Sequence, residues 1–233
     1  MKISGLQKMT LLDYPGRIAC TVFLGGCNFR CPFCHNGELL DSSAETIMDE
    51  QEFLEFLSKR RGLLDAVCVS GGEPTLQPGL ADFLEKIKAM GYLVKLDTNG
   101  SRPEVLKALI SRNLLDYVAM DIKNSPHRYA QTAGVSIRSE QLEESIRFLL
   151  REQVDYEFRT TVVAQLHDEE SVLRMGQWMA SLAQGEKVRR WFVQPFADRD
   201  TVLFAGLSAP DESQLTEFVG ILSRFSVHSA LRG

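Results

Sequence analysis

Ile18-Ala19-Cys20-Thr21-Val22-Phe23-Leu24-Gly25-Gly26-Cys27-Asn28-Phe29-Arg30-Cys31-Pro32-Phe33-Cys34-His35-Asn36 is the stretch from which this chain is best read. Ile18–Leu24 is an apolar run of strand length, and Gly25-Gly26 ends it. Three cysteines then follow on one short loop with the spacing C-x3-C-x2-C. Thiolates so placed can wrap one face of a cube-shaped iron–sulfur cluster. Such clusters usually take four cysteines. No fourth lies near in sequence, which implies one iron left open to another ligand, the mark of a catalytic metal rather than a structural one. The competing reading is a Cys3His zinc site that uses His35. Structural zinc sites usually pair two knuckles, however, and His35 directly abuts Cys34, so the two would ligate one tetrahedral ion awkwardly.

Outward from that loop, apolar runs alternate with amphipathic stretches. Strands are expected at Ile18–Leu24, Ala66–Val69, Tyr92–Leu96, Tyr117–Ile122, Tyr156–Val163 and Trp191–Val193. Leu80, Phe83, Leu84, Ile87 and Met90 fall on one helix face. Leu142, Ile146 and Leu149 repeat the pattern, as do Val172, Met175, Met179 and Leu182, and then Leu215, Phe218, Val219 and Leu222. Strict strand–helix alternation predicts an α/β fold, parallel strands with helices outside. Periodicity leaves open whether the sheet is doubly wound or a curved partial barrel; both put chemistry at the C-terminal ends of strands. With 233 residues, 44% of them hydrophobic, and no linker, one domain over 1–233 is expected.

A net charge of −5 with interspersed signs excludes a broad basic surface for nucleic acid or anionic membrane. No apolar run reaches the ~20 residues of a membrane span, and the N-terminus lacks a signal-peptide core; a cytoplasmic protein is expected. Five cysteines, three of them clustered, make a poor disulfide framework and favour metal or redox chemistry in a reducing compartment. Cys20 and Cys68 lie inside apolar runs and read as buried thiols acting as small hydrophobes.

The remaining strand ends are polar. The second gives Ser70-Gly71-Gly72-Glu73-Pro74, where glycines allow close approach of a ligand and a carboxylate can receive an ammonium; an ordinary turn would look the same. The third gives Asp97-Thr98-Asn99-Gly100, a turn signal by itself. The fourth gives Asp121-Ile122-Lys123, two charges on one strand face, which a surface ion pair explains equally well. Arg159 lies within the fifth strand, where an unpaired cation is costly, so it is expected to meet an anion. Asn124–Val135, polar and rich in turn residues, reads as a surface loop or a partner contact.

C-x3-C-x2-C with an aromatic, Phe33, before the last cysteine resembles the motif of the radical S-adenosylmethionine (SAM) superfamily. That resemblance implies a partial (β/α)6 barrel and a [4Fe–4S] cluster on Cys27, Cys31 and Cys34. It also implies that SAM chelates the fourth iron, that Phe33 packs near the adenine, and that Gly71, Gly72 and Glu73 receive the SAM amino group. The D-T-N-G and D-x-K segments resemble the glycyl-radical-enzyme activases. In them the counterparts of Asp97, Asp121 and Lys123 surround the SAM carboxylate and ribose, with a monovalent cation between the acids, and Asn99 of the same segment is expected among the SAM-binding residues. Arg159 is then expected on the SAM carboxylate. Asp13-Tyr14-Pro15-Gly16 and Gln194-Pro195-Phe196 extend the likeness nearly end to end, toward activases of anaerobic ribonucleoside-triphosphate reductases. Ala197 stands where pyruvate formate-lyase activases have a histidine. The resemblance implies a glycyl radical enzyme as partner and a one-electron donor such as flavodoxin or ferredoxin. It implies no acid–base residue beyond the cluster and SAM. Rival readings are activation of a pyruvate formate-lyase-like enzyme, radical SAM chemistry on a small molecule, and a non-catalytic zinc or Fe–S module.

Overall fold

The structure is a computed structural model that describes residues 1–151 and 154–232. The chain divides into two compact units: Met1–Asn28 with Glu38–Ala119, and Phe29–Gly37 with the chain from Met120 onward.

In the first unit, β1 (Lys2–Ile3) pairs antiparallel with β4 (Met48–Asp49). The main strands are β2 (Gly5–Thr10), β3 (Ala19–Leu24), β5 (Ala66–Gly71) and β6 (Leu93–Thr98), adjacent in that order. β2 runs antiparallel to β3, whereas β3, β5 and β6 are parallel, in register from Ala19↔Ala66↔Leu93. Ala66, Val67, Cys68 and Val69 are all fully buried, as expected of a parallel strand covered on both faces. Helix α1 (Glu50–Ser58) starts with a capping box between Asp49 and Glu52. Helix α2 (Leu80–Ala89) buries Leu80, Phe83, Leu84 and Ile87, the face the periodicity marks, and α3 (Pro103–Ser111) begins on a proline.

Strand β7 (Tyr117–Asp121) closes the first unit and opens the second. The second unit continues with α4 (Tyr129–Ala133), α5 (Ser139–Arg151), β8 (Asp155–Val162), α6 (Glu169–Leu182), β9 (Val188–Pro195), α7 (Glu212–Ser223) and β10 (Ser226–Leu231). β8, β9 and β10 are parallel neighbours. α5 buries Leu142, Ile146 and Leu149, and α6 buries Val172, Met175, Met179 and Leu182.

The α/β class, with a mostly parallel sheet, is as expected. The sequence reading misses β1, β2, β4 and β10, because these are short or lie at the sheet edge, where Gln7, Lys8 and His228 face solvent and dilute the apolar signal. Among the described residues, no helix is long and apolar enough to cross a membrane.

Candidate functional site

The strand ends of the first unit are built around a buried carboxylate. Glu73 is 1% exposed and accepts four hydrogen bonds. Its Oε1 receives the Thr75 N–H (3.1 Å), the Thr75 hydroxyl (2.5 Å) and the Thr98 hydroxyl (2.8 Å), and Oε2 receives the Asn99 N–H (2.6 Å). Burial pushes the Glu73 carboxyl above the ordinary range, opposed by these donors. The carboxylate thereby ties the turn after β5 to the turn after β6. The two glycines before it have a packing reason that the sequence reading did not supply. A Cβ on Gly71, whose φ is +123°, would lie 2.2 Å from the Leu24 carbonyl oxygen, and one on Gly72 would lie 2.2 Å from that of Gly26. They let the end of β5 press against the backbone that leads to Cys27.

Asn99 is likewise committed, its amide donating to Asn28 Oδ1 (2.9 Å) and its Oδ1 accepting the Ser101 N–H (2.9 Å). Asn28 in turn donates to the Ser101 hydroxyl at 2.8 Å, so the D-T-N-G turn holds the residue next to Cys27. Cys27 N–H donates to the Leu40 carbonyl at 3.1 Å. Asp97 accepts from Ser70 at 3.3 Å and pairs with the ammonium of Lys95, which is 1% exposed. Neither Lys95 nor Asn28 stands out as a site residue in the sequence. A signal for Lys95 is present all the same, since a lysine inside Leu93-Val94-Lys95-Leu96 needs a partner as much as Arg159 does.

In the second unit, Cys31 and Cys34 lie on a tight turn, the Cys34 N–H donating to the Cys31 carbonyl at 3.1 Å. Arg30 N–H reaches the Ala133 carbonyl at 2.8 Å, and Gly134 (φ +70°) lies so close to Arg30 that a Cβ would fall 2.0 Å from its oxygen. Asp121 ends β7, so Lys123 lies beyond the strand rather than on its face. The pair forms regardless: Lys123 Nζ donates to Asp121 Oδ2 at 2.9 Å and Arg159 Nε to Oδ1 at 3.0 Å. The anion that Arg159 meets in the fold is therefore the Asp121 carboxylate. Burial alone would raise the Asp121 carboxyl, but Arg159 and Lys123 hold it down at about 2. Burial would lower the Lys123 ammonium, and the charges of Asp121 and Cys31 raise it instead. Its Nζ stands 5.9 Å from the Phe33 ring centroid, within cation–π range. Asn124, Ser125, Tyr129, Thr132 and Ala133 are buried, whereas Pro126, His127, Ala130, Gln131 and Gly134 are exposed, so Asn124–Val135 is anchored in the interior and keeps a surface face.

The donor set fits an iron–sulfur cluster. None of the five cysteines is in a disulfide, and burial raises the Cys34 thiol while the Asn36 N–H and the Lys123 cation pull it down. Cys20 and Cys68 are fully buried; burial pushes Cys20 up to about 12 and raises Cys68 as well, so neither readily yields a thiolate. His35 is drawn elsewhere, its Nε2 on the Ala197 carbonyl at 2.8 Å and its ring stacked on Phe196. Among the described residues, no three His, Cys, Asp or Glu side chains converge on the position of a single ion.

Comparison with known proteins bears on this arrangement. Residues 21–175 match the radical SAM superfamily. A Methanocaldococcus jannaschii protein named "putative glycyl-radical enzyme activating enzyme" is 30% identical over 99% of this chain and 95% of its own. The pyruvate formate-lyase-activating enzyme of Clostridium pasteurianum is 33% identical over 53% of this chain and 52% of its own. Among solved structures, a radical SAM methyltransferase from Sphaerobacter thermophilus superposes with a TM-score of 0.72 over 96% of this chain and 68% of that one, at 15% identity. A domain of a pyruvate formate-lyase-activating enzyme from Bacteroides vulgatus gives 0.58 over 72% of this chain and 99% of that one, at 19% identity. These two likenesses speak to the fold.

Proposed function

The chain belongs to the radical SAM superfamily, whose enzymes use a [4Fe–4S] cluster and SAM, and from that premise we propose that it activates a glycyl radical enzyme, specifically an anaerobic ribonucleoside-triphosphate reductase. One observation carries the reading: the likeness to the M. jannaschii activating enzyme extends over 99% of this chain, so it takes in every strand end as well as the cysteine loop.

Cys27, Cys31 and Cys34 are the cluster's three ligands in this reading. When bound, the cluster would supply the electron, drawn from a flavodoxin or ferredoxin, for reductive cleavage of SAM to methionine and a 5′-deoxyadenosyl radical, to which a glycine Cα of the partner would give up a hydrogen atom. The chain's own residues bind, orient and exclude water. Glu73 holds Gly71, Gly72 and Asn99 in the shape that receives the SAM ammonium. Asp97, Asp121, Lys123 and Arg159 serve its carboxylate and ribose, Phe33 lies against the adenine, and a monovalent cation accompanies the acids. The thiols that hold the cluster must stay reduced, which supports a cytoplasmic setting in this reading. A pyruvate formate-lyase-like partner is the second reading, supported by the C. pasteurianum likeness, which covers 53% of the chain.

The test is anaerobic reconstitution with iron and sulfide, followed by SAM and dithionite. Equal amounts of methionine and 5′-deoxyadenosine are expected, with none from Cys31→Ala. A protein that takes up zinc, retains no sulfide and leaves SAM intact would overturn the reading.

A further inference from the structure

His167 has no part in the chemistry above, yet it is 3% exposed and both ring nitrogens are engaged. Nε2 lies 2.9 Å from the Lys123 carbonyl oxygen, and Nδ1 lies 3.1 Å from the Val163 amide nitrogen. An amide N–H only donates and a carbonyl only accepts. Nδ1 is therefore the acceptor, and Nε2 carries the proton. The Val163 carbonyl also approaches Nδ1, at 3.3 Å, but it already accepts the backbone N–H of His167 at 2.9 Å. Burial lowers the pKa of the imidazole and keeps it neutral, as this tautomer requires.

The ring joins the main chain of Lys123 to the turn that follows β8. Its neighbours are fixed from the same side. Thr160 Oγ1 donates to the Ile122 carbonyl at 2.8 Å, Ile122 N–H donates to the Arg159 carbonyl at 2.8 Å, and Asn124 Nδ2 donates to the Leu166 carbonyl at 3.0 Å. Between Ile122 and Asn124, the carbonyl of Lys123 is taken by His167. Lys123 lies past the end of β7, so the sheet ladder does not set its backbone. What sets it decides where the ammonium stands relative to Asp121 and Phe33.

We propose that His167 is a positioning residue for SAM binding, its Nε2–H bond to the Lys123 carbonyl holding the Lys123 ammonium where SAM is received. The proposal rests on the reading of Lys123 as a SAM contact. It deepens that reading by assigning the contact's alignment to a side chain on another loop.

The experiment is equilibrium dialysis of labelled SAM against the anaerobically reconstituted protein, with thermal unfolding of each variant run beside it. His167→Leu is expected to raise the SAM Kd roughly tenfold, the scale on which outer partners of ligating groups act. In a Lys123→Met background His167→Leu is expected to add nothing, because the residue it positions is gone. Loss of stability alone would not produce that non-additivity. If His167→Leu does not fold, His167→Asn carries the same comparison, being polar but too short to span both partners. A single variant with unchanged Kd, or one that adds its full factor to Lys123→Met, would overturn the proposal. A Lys123→Met protein that binds SAM like wild type fails differently: it removes Lys123 from the site, and the inference falls with that reading.

Discussion

Replacing Glu73 by alanine is the perturbation whose cost follows most directly from the structure. The carboxylate accepts four hydrogen bonds at a position 1% exposed. The hydroxyls of Thr75 and Thr98 can rotate toward other acceptors. The backbone N–H groups of Thr75 and Asn99 cannot, and alanine leaves both buried without a partner. At about 1–3 kcal/mol for each stranded donor, the loss is about 2–6 kcal/mol. The ionised carboxylate is itself costly to bury, as its raised pKa records, and relief of that cost brings the expectation to about 3 kcal/mol. That is a large share of the 5–15 kcal/mol typical of a folded domain. Urea unfolding of the apoprotein should show a lowered midpoint with unchanged slope. Glu73→Gln should cost less, about 1–3 kcal/mol, because only the Asn99 N–H then faces another donor. The pH dependence has a definite sign. A carboxyl with a raised folded-state pKa binds protons more tightly folded than unfolded, so wild type loses stability as pH rises from 4.5 through the raised value, and Glu73→Gln lacks that slope. If Glu73→Ala unfolds within about 0.5 kcal/mol of wild type, the size of an ordinary surface change, the account of the two turns is wrong.

Other expectations follow from the same geometry. Cys27→Ala, Cys31→Ala and Cys34→Ala should each abolish cluster retention, measured as iron content and visible absorbance, while Cys20→Ala and Cys68→Ala keep it; loss of the cluster in Cys68→Ala would refute the ligand assignment. Carboxyl NMR should find Asp121 titrating at about 2, and Arg159→Leu should raise that midpoint by about one unit or more, since an adjacent cation lowers a carboxyl by one to three. The stability that Asp121 contributes is present above its ordinary value of 3.8 and fades as pH falls toward 2, opposite in sign to Glu73; an unchanged midpoint in Arg159→Leu would remove the ion pair. Gly72→Ala should fail to fold or lose SAM affinity, read by thermal unfolding and dialysis, because its Cβ meets backbone rather than a movable side chain; a variant with wild-type stability and affinity would show that the turn can shift.

The sequence could show what is local. The cysteine spacing, the strand-end motifs and the apolar faces of α2, α5 and α6 each lie within a short window, and periodicity or residue type exposes them. Pairings across the chain are another matter. That Glu73 caps the turn at Asn99, that Arg159 answers Asp121, and that His167 holds Lys123 are contacts between residues 26, 38 and 44 positions apart. Nothing in either partner's neighbourhood announces the other. Gly71 and Gly72 show their pattern in the sequence, but their packing role, a close approach to Leu24 and Gly26, becomes visible only in the fold. Lys95 and Arg159 carry the same signal, a cation in an apolar strand, but the aspartates that answer them, Asp97 and Asp121, emerge only in the fold.

The central claim is that this chain delivers a hydrogen-abstracting radical to a glycine of another protein. Its most direct test is electron paramagnetic resonance of the anaerobic reductase after incubation with the reconstituted protein, SAM and a reductant. A doublet is expected that collapses when the partner's glycine is α-deuterated, with that deuterium recovered in 5′-deoxyadenosine. Deuterium arriving instead from a labelled small metabolite, with none from the partner's glycine and no doublet, would contradict the account.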